Sequence, residues 1–131
     1  MARVSVEVPA GLVGTIRETV LLLYQATAES LHAALRGRPG VEALEEVHAH
    51  RARLDELDEL VRALHDDGSG ATLRAPRDLV HDVLYGALID AGERLAETSN
   101  RSWRGELPLE RVQQGAEEVL ALDALLRGLD G

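Results

Sequence analysis

With 131 residues and no cysteine, the chain is long enough to bury one core unaided, and thiol chemistry, zinc–thiolate sites and a disulfide framework are excluded. A formal charge of −9, with every basic residue an Arg, repels nucleic acid and anionic lipid at long range. Aromatic residues at 2%, with Phe absent, leave no stacking platform for bases and require an aliphatic core.

Residues Arg3 to Val8 alternate, with Val4, Val6 and Val8 on one face and Ser5 and Glu7 on the other, as in a short half-buried strand. Pro9 ends that pattern. Pro9, Pro39, Pro76 and Pro108 each stand at the start of a helical pattern, where a missing N–H costs nothing and φ is already helical. Helices are expected at about 10–36, 40–65, 76–99 and 108–128. The first carries Ile16, Val20, Leu23, Tyr24, Thr27, Leu31 and Leu35 on one stripe and stops at Gly37. The second carries Val47, His50, Leu54, Leu57, Val61 and Leu64 with the three-and-four spacing of a coiled-coil seam. The segment Asp66-Asp67-Gly68-Ser69-Gly70 reads as a linker.

Leu44 to Leu64 is written again as Leu109 to Leu129. At an offset of 65, Leu44, Glu45, Val47, Leu57, Asp58, Leu60, Arg62 and Leu64 meet identical residues. Placing Pro9 on Pro76 aligns the helices that follow at an offset of 67, with Ile16 on Val83, Val20 on Ala87 and Leu22 on Ile89, and makes the extended segments VSVEV and ATLRA equivalent. The chain therefore reads as a single helical domain, 1–131, of two halves, 1–67 and 71–131. The fold expected is all-α: an antiparallel up-down-up-down four-helix bundle of two repeated helical hairpins, each preceded by a short extended segment. The two segments could pair as an antiparallel ribbon across a pseudo-twofold axis.

Several residues could carry chemistry. Glu29/His32 and Glu45/His48 have the i, i+3 spacing of carboxylate-bridged dimetal bundles, but both pairs point away from the apolar stripes. His50 does sit on the seam, as a candidate metal ligand or a core histidine; its counterpart is Gly115. Asp58 and Asp123 each precede an Arg by four residues, giving helix-supporting pairs with Arg62 and Arg127. In an up-down-up-down bundle both hairpin turns lie at one end, so Arg36, Arg38, Arg101 and Arg104 would gather there as an anion site, with Trp103 capping the core beside them. Leu22 and Ile89 fall opposite their helices' core stripes, with Leu21, Tyr85 and Leu88 between; that apolar strip is the expected self-association surface of a twofold dimer.

The stretch His81-Asp82-Val83-Leu84-Tyr85-Gly86-Ala87-Leu88, followed by Asn100-x-x-Trp103-Arg104, looks like the second half of the motif in the all-α nucleoside triphosphate pyrophosphohydrolases (MazG type). That resemblance implies a Mg²⁺-dependent activity in which acidic residues hold the metal against a triphosphate. Glu42-x-x-Glu45 imitates the family's first acidic pair, but Leu79 stands where the second pair needs its Glu. No nucleophile, base and oxyanion donor can be assembled. The expected function is a non-catalytic protein–protein interaction or regulatory module, a homodimer without a cofactor. The alternatives are the Mg²⁺-dependent hydrolase and a small-anion or metal-binding bundle. No stretch approaches the roughly 18 apolar residues of a membrane span, and the first residues lack a signal peptide's apolar run. The expected location is cytoplasmic, with neither nucleic acid nor membrane as partner.

Overall fold

The structure, a computed structural model, describes residues 2–37, 40–65 and 68–130, with the side chains of residues 41–43 and 130 left outside the description. It is mostly helical, with a strand β1 (Arg3–Val8), a 3-10 turn (Ala10–Leu12), α1 (Val13–Arg36), α2 (Val41–Ala63), a second strand β2 (Ala71–Pro76), α3 (Arg77–Trp103) and α4 (Leu109–Asp130). None of the described helices is long and apolar enough to cross a membrane.

β1 and β2 pair antiparallel, with Arg3 opposite Pro76, Val6 opposite Leu73 and Val8 opposite Ala71. The pleat turns Val4, Val6, Val8, Ala71, Leu73 and Ala75 to the inner face. The outer face is polar: Thr72 Oγ1 donates to the facing Glu7 Oε1 at 3.0 Å, and Arg3 forks onto both oxygens of Glu56 on α2 at 2.7 and 3.1 Å. A two-stranded ribbon is marginal alone. Here its inner face joins a core that includes Leu12, Val13, Ile16, Val20, Leu57, Leu60, Leu79, Val80, Val83, Leu84 and Leu122. Pro9 and Pro76, both extended, pass the chain from strand to helix on each side.

α3 runs past its expected end near residue 99 to Trp103. Gly105 takes φ +78°, and Glu106 N donates back to Arg101 O at 2.9 Å, closing the last turn in the way a left-handed glycine after a helix does. Trp103 consequently sits on the final helical turn and is 91% exposed, so it does not cap the core.

α1 packs along α2 and α3 along α4, and the two hairpins meet chiefly through α1 and α3. That meeting is close at Gly86, where a Cβ would lie 3.0 Å from Thr19 Cγ2. The up-down-up-down expectation needs α1 and α3 parallel, and the side chains do not allow it. Thr15 Oγ1 and Arg94 Nη2 both donate to Glu118 Oε1, at 3.1 and 2.7 Å. In parallel helices with Thr19 beside Gly86, Thr15 and Arg94 would stand about 18 Å apart along the axis, beyond the span of two side chains and one shared oxygen. α1 and α3 therefore do not run parallel, and the hairpin turns do not share an end. Two further cross-hairpin bridges among the described residues are Arg53 to Asp82 at 2.9 Å, joining α2 to α3, and Arg94 to Glu18 at 3.8 Å, joining α3 to α1.

Among the described residues the largest fully buried side chains lie in β1, β2, the first halves of α1 and α3 and the second halves of α2 and α4. Toward the turns burial thins: Leu31, Val47, Leu107 and Val112 are half-buried, while Leu35, Leu44 and Leu109 are exposed. The chain exposes 8548 Å², about a quarter more than the roughly 6,800 Å² of a compact monomer of 14.2 kDa.

Candidate functional site

Of the large apolar residues that the core leaves exposed, Leu35, Leu44, Trp103 and Leu109 lie near the hairpin turns and Leu120 on α4, while one group lies on the outer side of α1 and α3. Leu22 is 57% exposed, Tyr85 50%, Ile89 45% and Leu21 41%. Leu88 differs, being half-buried against the core. The reason is helical phase. Ile16, Val20 and Val83, Ala87 point to the ribbon, so positions about half a turn away, Leu22 and Ile89 with Tyr85, must point outward. Leu22 and Ile89 each lie three residues past the Thr19–Gly86 contact on their own helices, which leaves their backbones about 9 Å apart along the axis if the helices run in opposite senses. Tyr85 is held flat by His81, ring centroids 5.9 Å apart and planes 9° from parallel.

Among the described residues, the arginines expected to form one anion site are divided between the two hairpins. Arg101 and Arg104 share Glu106, at 3.4 and 3.7 Å. Arg36 is exposed at the end of α1, on the turn of the other hairpin, and Arg38 lies outside the described residues. The separation follows from the non-parallel senses of α1 and α3.

His50 borders a cleft of about 590 Å³ between α2 and the start of α3, walled by Ala49, Ala52, Pro76 and Leu79. Its Nε2 is buried without a hydrogen-bond partner; Glu46 Oε1 stands 3.5 Å away, near enough for an ion pair with a protonated imidazole but not placed to accept a hydrogen bond. No group of three or more His, Asp or Glu among the described residues is placed to hold a metal ion. Glu29, His32, Glu45 and His48 are exposed. Asp58 and Asp123 hold Arg62 and Arg127, both at 2.9 Å. Of the acidic residues the hydrolase resemblance needs, Asp82 is engaged by Arg53, Glu45 is exposed, and the Glu42 side chain lies outside the description.

Sequence reasoning missed the cross-hairpin contacts: Thr15 with Glu118, Glu18 with Arg94, Arg53 with Asp82, and Thr19 with Gly86. The offsets offered one signal, since Thr15 aligns with Asp82 and Thr19 with Gly86 at 67, and Arg53 with Glu118 at 65. No protein-family model matches the chain, and no significant match is found among curated proteins or solved structures.

Proposed function

We propose that the protein is a cytoplasmic, non-catalytic interaction module that works as a homodimer through the outer face of α1 and α3. The observation that carries this reading is the exposure of Leu21, Leu22, Tyr85 and Ile89 together on a chain with a quarter more surface than its mass requires. A face of this kind covers itself when two copies meet about a twofold axis, because each residue then finds the partner's apolar counterpart.

The reading includes a duplicated hairpin with an internal near-dyad. Support comes from contacts that exchange with each other under the offsets. Arg53–Asp82 exchanges with Glu118–Thr15, the Asp58–Arg62 pair with Asp123–Arg127, and buried Leu57 with buried Leu122. Two pairs, Val6–Leu73 and Thr19–Gly86, exchange with themselves and would lie on the axis. Leu22 and Ile89 then flank the axis on the side away from the ribbon.

Light scattering on the eluting protein tests the proposal. The expected mass is twice 14.2 kDa at tens of micromolar, and the double substitution Leu22→Arg/Ile89→Arg should return the monomer with its helical circular dichroism intact. A wild-type chain that elutes as a monomer at about 100 μM, weaker than the affinity a stable interface of standard size provides, defeats the dimer.

A further inference from the structure

A second concavity lies between α3 and α4, in the other hairpin from the His50 cleft. It measures about 280 Å³ and is bordered by Arg94, Arg101 and Arg111, with Thr98, Gln114 and Gly115 between them. Apolar contact surface comes from Ala91, Leu95 and Leu107. Glu118 is the one carboxylate on its border, so the lining carries three positive charges against one negative in a protein whose net charge is −9.

The arginines are not equally engaged. Arg94 is tied to Glu118 at 2.7 Å and stands 3.8 Å from Glu18. Arg101 reaches Glu106 at 3.4 Å, a long contact between half-exposed groups that is worth little in water. Arg111 has no ion-pair partner among the described residues. Gly115 makes the space: a Cβ there would lie 3.2 Å from Leu95 Cδ1, so any larger side chain would enter the groove or push on its wall. At the offsets of 67 and 65 the first hairpin has Thr27, Ala34, Glu46 and His50 where this one has Arg94, Arg101, Arg111 and Gly115. The three positive charges of this groove therefore have no counterparts at the matching positions of the first hairpin.

From these features we infer that the α3–α4 groove binds a small organic dianion, a short dicarboxylate or a phosphate ester. Arg111 and Arg101 supply charge-assisted hydrogen bonds, Arg94 fixes the far wall through Glu118, and Leu95 and Leu107 receive the short apolar body. Glu106 and Glu18 offset part of the charge of Arg101 and Arg94, so Arg111 is the arginine of the lining that no described carboxylate engages. The volume matches a molecule of roughly ten to fifteen heavy atoms. The site is independent of the dimer, since its residues lie outside the outer face of α1 and Leu22, Tyr85 and Ile89 are absent from its lining.

Calorimetric titration of the full chain at fixed ionic strength, with inorganic phosphate, butanedioate and acetate as separate probes, tests the inference. One site per chain is expected for at least one dianion, tenfold or more tighter than acetate. Arg111→Ala should weaken it at least tenfold and Gly115→Val should abolish it, while Arg36→Ala, at the other hairpin's turn, should change it less than twofold. Binding of phosphate alone identifies a phosphate ester as the ligand, and binding of butanedioate alone a dicarboxylate. Absence of saturable heat from both dianions up to about 10 mM overturns the site. So does equal weakening by Arg36→Ala and Arg111→Ala, which would reveal diffuse attraction only. Arg111 is exposed and makes no ion pair among the described residues, so its alanine variant folds whether or not Gly115→Val does.

Discussion

Leu57 and Leu122 are fully buried, yet each is followed by an Asp whose pair with Arg lies at the surface. The two kinds of position should respond very differently to truncation. Leu122→Ala should cost about 2–5 kcal/mol, because lost transfer energy and a residual cavity add. Asp123→Ala should cost no more than about 0.5 kcal/mol, as for a solvated i, i+4 pair. Urea denaturation of both variants gives the comparison directly. Gly86 offers a sharper test of the helix contact. Alanine there gains helix propensity but places its methyl 3.0 Å from the Thr19 methyl, and Thr19 is buried with its hydroxyl on Thr15 O. Gly86→Ala should therefore destabilise by about 1–3 kcal/mol, and the cost should shrink in the Thr19→Ser background, a coupling that a double-mutant cycle measures. The buried leucines were legible in the sequence because they recur at helical spacing. Gly86 was not, since what makes it necessary is a residue 67 positions earlier on another helix.

At the scale of elements, the four helices and the ribbon were readable from periodicity and from the prolines. The relative sense of the hairpins was misjudged for a definite reason. The up-down-up-down rule assumes that α2 passes directly into α3, whereas β2 stands between them. Each strand feeds its helix across a proline, so strands paired antiparallel launch α1 and α3 in unlike directions. The expected gathering of Arg36 with Arg101 and Arg104 rested on the same rule, and Arg38 lies outside the described residues. The core follows the ribbon and the α1–α3 contact, and the large apolar side chains described at the turn ends of the hairpins are half-buried or exposed. Amide hydrogen exchange should reflect this: Leu31–Leu35 and Leu44–Val47 should exchange through local opening, well ahead of Val13–Val20 and Val80–Ala87. Uniform protection along α1 would contradict the burial pattern.

For the molecule as a whole, the surplus of surface and its apolar content bear on association. Pairing through an interface of standard size hides about 800 Å² per copy, roughly half of the surplus. The dimer should accordingly tolerate high salt, since Leu22, Tyr85 and Ile89 rather than ion pairs hold it, and light scattering at 0.1 and 1 M sodium chloride should return the same mass. A dimer that dissociates in salt would instead point to the Arg and Glu side chains around that face. The exposure of Leu22, Tyr85 and Ile89 could be anticipated from helical phase alone. The groove between α3 and α4 could not, because its depth depends on a glycine seated against Leu95 of the facing helix.

The ribbon joins stretches of chain separated by the whole first hairpin. During synthesis β1 leaves the ribosome with its edge unpaired and stays so until residue 76 has emerged, and the α1–α2 unit meanwhile lacks the neighbour that seals its inner side. A nascent chain at that stage offers another such chain the same edge that β2 later occupies. The interval before residue 76 emerges is therefore the time in which one polypeptide's first half can be intercepted by a neighbour on the same message.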